Sequence, residues 1–190
     1  MSEWGEFFRW AGVAIALALL VLSIAIIRQG AIGKHASLSL HAASKKQSYI
    51  SLGLFLTFGG ALFYGFIAFW VIPTYALDTS AYSLLIFAYL AQLGMAWVPA
   101  STTNKKSQSL HLFFGVIVAS AMVLFLGLLA INASSLPPLS ALFIPIGTLV
   151  TLATLIVYTF VCSWHKYFLV FEMVFIAFFC MAMILLALQL

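Results

Sequence analysis

The sequence predicts an all-α polytopic membrane protein, a bundle of six transmembrane helices forming one domain over residues 1–190. Three observations carry this. Of 190 residues, 65% are apolar and only 6% are charged, whereas the water-facing surface of a soluble domain demands about 25% charged residues. Mean hydropathy is +1.20. Six separate stretches reach the ~20 apolar residues that a helix needs to cross a hydrocarbon core. This composition excludes a soluble globule, a disordered chain and a disulfide scaffold.

The first stretch, about 10–27, follows the acidic leader MSEWGEFF. A cleavable signal would be basic there, so this segment reads as an uncleaved anchor with its N-terminus outside. The second, about 49–72, stops before Pro73, Asp78 and Ser80. The third and fourth, about 81–100 and 110–131, are parted by the polar run Pro99 to Ser109. Asn132 to Pro138 separates the fourth from the fifth, about 139–161, and the sixth runs about 167–189. None alternates apolar and polar with period two, which excludes the strands of an outer-membrane barrel.

Basic residues set the orientation. Arg28, Lys34, Lys45 and Lys46 lie in the first connection, Lys105 and Lys106 in the third, and Lys166 in the fifth. The other side has Arg9 alone, beside Glu3 and Glu6, with Asp78 in the second connection. Seven against one places connections one, three and five on the cytoplasmic side and both termini outside; the membrane expected is a bacterial inner or plasma membrane. Those seven side chains would face anionic lipid headgroups. Trp4, Trp10, Trp70, Tyr75 and Tyr82 near the outer ends, and Trp97, Trp164 and Tyr167 near the inner ends, fit interfacial aromatic belts.

Lys45-Lys46, Lys105-Lys106 and His165-Lys166 each stand just before an even-numbered span, and SKKQSYISLGLF sits in register with NKKSQSLHLFFG. This spacing is that of three repeated helical hairpins, and equally of hairpins of similar length with basic turns. Small residues mark packing faces: Gly12 with Ala16, Ala14 with Ala18, Ala61 with Gly65, Gly115 with Ala119, Gly147 with Thr151. Span two, with Gly53, Gly59, Gly60 and Gly65, is expected at the bundle centre. Pro145 is expected to kink span five. Gln92, Ser120, Thr148, Thr151 and Thr154 are expected to bond between helices or to line a modest polar pocket. Cys162 and Cys180 differ in depth by roughly 15 Å at helical rise, too far for a disulfide.

No ionisable residue lies near the middle of a span, which disfavours proton relays, a retinal Schiff base and bis-histidine haem ligation. All four histidines belong to the basic side: His35 and His41 in the first connection, His111 opening span four, His165 before span six. With Glu172 they are the candidate polar or ligand site, since imidazole and carboxylate suit zinc or iron. Spacing argues against a metal: His35 and His41 stand about 240° apart on a helix, and His165 and Glu172 about 10 Å apart along one. No cofactor is therefore expected. A carboxylate below the interface needs a partner, and His111 is the one expected for Glu172. Ser39 is expected to cap a cytoplasmic extension of span two running through His41 and Ala42.

The SLSLHAAS of the first connection, His111, and the carboxylate of WHKYFLVFE resemble bacterial six-helix membrane proteins of the DRAM/Frag-like kind. Leu112 and Met173 stand where that family carries polar neighbours. The resemblance implies a regulatory membrane protein rather than an enzyme. The sequence leads to a non-enzymatic accessory, sensory or assembly subunit working through helix packing and a basic face, with a membrane-protein partner or a second copy and no nucleic acid. One alternative is a small-molecule transport or binding subunit, because size and Ala14-xxx-Ala18 are similar to substrate-binding subunits of vitamin uptake systems. Those subunits keep the N-terminus inside, against the charge distribution here. The other is a metal-dependent lipid-processing enzyme using the histidines, although HExxH spacing is missing.

Overall fold

A computed structural model describes residues 3–29, 37–101, 103–160 and 168–189, which are helical with no strand among them. Six helices are long and apolar enough to cross a membrane. We label them with one short helix between: α1 (Glu3–Gln29), α2 (Leu38–Ala43), α3 (Lys46–Thr74), α4 (Ser80–Trp97), α5 (Lys105–Ile131), α6 (Pro138–Phe160) and α7 (Phe168–Leu188).

The helices outrun their apolar stretches where polar caps permit. Asn104 accepts the Ser107 N–H at 3.1 Å, so α5 starts at Lys105 rather than near residue 110. Conversely α4 stops at Trp97, because Pro99 disfavours helical backbone at the residue before it and Val98 is extended. The exit of α3 is a Schellman turn: Leu77 N–H bonds Ile72 O at 3.0 Å and Ala76 N–H bonds Pro73 O at 3.4 Å. Ala76 occupies its left-handed position, at φ 48°.

Each spanning helix packs on its neighbours in sequence, and α7 returns against α1, closing a six-helix ring. The start of α1 and the end of α7 lie together at one end of this ring, where Arg9 Nε bonds Ala187 O. Arg28, Lys45, Lys46, Lys105 and Lys106 lie at the other, all exposed. The half nearer the chain ends is filled. There Phe63, Phe66, Ile67 and Trp70 of α3 meet Phe125, Leu126 and Leu129 of α5 and Phe179, Met183 and Leu186 of α7. A second small cluster at the basic end, Ile26, Leu38, Ala42, Leu52 and Leu169, seats α2 on α1, α3 and α7.

Helix α3 is the most buried span, at 50% of its apolar window against 22% for α1 and α6. Its glycines explain this. A Cβ at Gly12 of α1 would strike the Phe66 ring, one at Gly65 the Phe8 ring, and one at Gly60 the Gln92 amide. Among the spanning helices its backbone runs closest to α1 and α4, while its aromatic side chains reach across the ring to α5 and α7.

Two π-helical segments, Phe55–Gly59 and Ile67–Val71, interrupt α3. A π turn loosens the regular bonding and leaves carbonyls to be satisfied from outside. Helix α4 supplies the donors: Gln92 Nε2 to Leu56 O at 2.8 Å, Tyr89 OH to Thr57 O at 3.0 Å, and Tyr82 OH to Ala68 O at 3.3 Å. Gln92 thus bonds between helices as expected. Thr148, Thr151 and Thr154 instead turn back on carbonyls of their own helix, at 2.7–2.8 Å. Lys45-Lys46 and Lys105-Lys106 stand at the starts of α3 and α5, but α5 has no π segment, so the hairpins differ in local structure.

Trp70 and Tyr75 are core residues rather than belt residues, 1% and 6% exposed. Arg9 draws them in. Its guanidinium lies 5.2 Å from the Trp70 ring centre and 5.1 Å from that of Trp10, and its Nε donates to Ala187 O at 2.6 Å. Tyr75 OH donates to the adjacent Leu186 O at 3.2 Å. The last carbonyls of α7, unsatisfied by their own helix, are thereby paired.

Candidate functional site

A partly open cavity of about 210 Å3 occupies the basic half of the ring. All six spanning helices and α2 contribute to its wall. The pattern that builds it is helical periodicity. On α7, Glu172, Phe175, Ile176 and Phe179 follow at i, i+3, i+4 and i+7 and share one face. His111, Gly115, Val118 and Met122 of α5, at i, i+4, i+7 and i+11, likewise share a face. Aromatic and aliphatic side chains form most of the surface, including Phe55 and Phe63 of α3. Polar atoms come from Ser37, Ser39, Gln92, His111, Thr154, Tyr158 and Glu172.

Glu172 is the fifth residue of α7, about 6 Å inside its first residue at helical rise. Its Oε2 accepts the Leu38 backbone N–H at 2.6 Å. His111 is buried, and its Nδ1 donates to Val98 O at 2.6 Å. The expected Glu172–His111 pairing is therefore corrected. Both line the same cavity, but each is held by backbone: the break before Pro99 frees the Val98 carbonyl, and the first turn of α2 presents unbonded N–H groups.

The capping of α2 is corrected too. Ser37, not Ser39, is the N-cap, its Oγ accepting Leu40 N–H at 3.0 Å. The helix is separate from α3: Ser44 Oγ donates to His41 O at 2.6 Å and Lys45 is extended, at φ −133°. Ser39 faces the cavity instead. His41 is buried and donates from Nδ1 to Ser37 O of its own turn at 2.9 Å, apart from His111 and Glu172.

Among the described residues no three His, Cys, Asp or Glu side chains gather as a metal site would require. His35, His165, Lys34, Lys166, Cys162, Trp164 and Tyr167 lie outside the described residues. Cys180 is a buried free thiol that lines the cavity. Sequence reasoning missed Ser37, Tyr158, Phe175 and Phe179. The last two were within reach, as the residues one and two turns beyond Glu172 on its own face.

Fold and cavity define a class: an all-α ring of six membrane-length helices enclosing an apolar chamber with a polar rim. No protein-family model, curated protein or solved structure matches this chain.

Proposed function

We propose that this chain is a small-molecule-binding or transport subunit of a bacterial inner membrane, holding its ligand within the helix ring. The observation that carries this reading is the cavity itself. The interior is packed toward the ends of α1 and α7 that meet at Arg9 and Ala187, and the filling stops halfway. Ligand sites are largely apolar chambers with a few converging polar groups, which is the composition of this one. An engineered apolar cavity of about 150 Å3 accommodates benzene, so the volume here suits a ligand somewhat larger than one ring.

The basic end faces the cytoplasm in this reading, with both termini outside, following the positive-inside bias. Arg28, Lys34, Lys45, Lys46, Lys105, Lys106 and Lys166 then contact anionic headgroups. The exposure of Lys105 and Lys106 beside exposed Leu110 and Phe113 supports that placement, because ammonium and apolar groups alternate as they do at an interface. The likeness to DRAM/Frag-like proteins accords with a role other than catalysis.

Mass spectrometry of protein gently released from native membrane tests the binding reading. A small molecule retained by the wild type and lost from Ala119→Phe, which fills the chamber, supports it. Equal retention by both proteins, or retention by neither, overturns it.

A further inference from the structure

The chamber's walls carry a charge asymmetry that bears on what it holds. Its one acidic side chain among the described lining residues is Glu172, and no Lys or Arg lines it among them. The described salt bridge of the chain, Arg9 with Glu6, is at the far end of the ring. Glu172 has a backbone N–H as its described partner, at 2.6 Å. That neutral donor, the one described, offsets only part of the cost of taking a carboxylate out of water.

The aromatic faces point the same way. Phe55, Phe63, Phe175 and Phe179 line the same chamber as Glu172, Phe175 and Phe179 one and two turns beyond it on α7. A phenyl ring that turns its face to the chamber presents negative potential and attracts a cation, most strongly where water is excluded. A carboxylate at one end and phenyl rings along the walls are complementary to a positive head on an apolar body. They are a poor match for an anion, which would meet Glu172 with no Lys or Arg among the described lining residues to offset it.

Resting on the binding reading above, we infer that the ligand is a monovalent organic cation, an amine or quaternary ammonium with an apolar part about one ring in size. Its head lies at Glu172 and its body between the phenylalanines of α3 and α7. His111, which donates from Nδ1 to Val98 O, lines the same chamber.

The test is isothermal titration calorimetry on the full-length protein in neutral detergent, with empty-micelle titrations subtracted. Three probes of similar shape are compared: benzyltrimethylammonium, its uncharged isostere neopentylbenzene, and the anion benzenesulfonate. The inference expects the cation to bind about tenfold or more tightly than the isostere, with the anion weakest. It expects Glu172→Gln to bring cation and isostere together, and Glu172→Asp to restore part of the preference. Equal binding of cation and isostere to the wild type overturns the cation assignment and leaves the binding reading standing. Preference for the anion does the same. Failure of all three probes to bind overturns both. The wild-type comparison stands even if a Glu172 variant fails to fold.

Discussion

Glu172 Oε2 accepts the Leu38 backbone N–H at 2.6 Å, across 134 positions of sequence. This bond ties the start of α7 to the first turn of α2, and with it the only carboxylate described in the cavity wall to the element covering that wall's basic end. Ser37 caps the same turn from within, so α2 is secured twice.

Replacing Glu172 with Ala should leave the Leu38 N–H unpaired and cost about 1–3 kcal/mol, with Glu172→Gln losing less because its amide oxygen still accepts. Hydrogen–deuterium exchange over Leu38–Ala43 reads the effect directly. Faster exchange there in the Ala variant is expected; unchanged protection would mean that α2 does not depend on α7.

Glycines should separate by what faces them. A Cβ at Gly12 meets the Phe66 ring, which is fully buried and has nowhere to move, so Gly12→Ala should destabilise by about 1–3 kcal/mol. Nothing lies within 4 Å of a Cβ at Gly127. Gly127→Ala should therefore stabilise by about 0.5–1 kcal/mol through reduced chain entropy. Denaturant unfolding in micelles distinguishes the two.

Arg9 holds Ala187 O, pairs with Glu6 at 3.2 Å and lies against Trp70 and Trp10. A lysine keeps the charge but lacks the planar fork that serves all four at once. Arg9→Lys should lose about 1–3 kcal/mol and expose the Trp70 indole, seen as a red shift in tryptophan emission. A variant with wild-type emission and stability would show the contacts to be energetically idle.

Ala76 adopts a left-handed conformation that costs an L-residue roughly 1–2 kcal/mol and glycine almost nothing. Ala76→Gly should raise the unfolding free energy by about 0.5–1 kcal/mol after the added freedom of the unfolded chain is counted, seen as a higher unfolding midpoint. A lowered midpoint would mean that the Ala76 methyl contributes packing beyond the turn.

Asp78 Oδ1 accepts the Ser80 N–H at 2.8 Å at the start of α4. That backbone bond, and then the Ser80 hydroxyl, hold its carboxyl below its ordinary value of 3.8. A depressed folded-state pKa stabilises above the unfolded value and is lost as pH falls through the folded one. The stability difference between wild type and Asp78→Ala should thus be constant from neutral pH down to ~4 and shrink in more acidic solution. A difference that persists unchanged at pH 2 would assign the effect to packing.

Much of the architecture was legible in the residues. Six apolar stretches of membrane length, parted by Pro, Asn and Lys runs, can bury themselves in only a few ways. The backbone must satisfy its own bonds in lipid, so each stretch has to be a helix. The candidate site was half legible. His111 and Glu172 were singled out as polar groups at the edge of apolar spans, and both line the chamber. Their partners were not legible, because each bonds a backbone atom, and backbone atoms leave no mark in composition.

By itself the sequence determined the helical class, the number of spans and the gathering of basic residues at one end, since hydropathy and charge act locally along the chain. Tertiary structure alone decided that the spans close into a sequential ring, that α3 carries π turns satisfied by Gln92 and Tyr89, and that Trp70 is core rather than belt. It alone also decided that the interior is filled on one side and open on the other. Those outcomes depend on which side chains meet across helices, Phe66 on Gly12 or Arg9 on Trp70, and contacts between residues far apart in sequence arise only when the chain is folded.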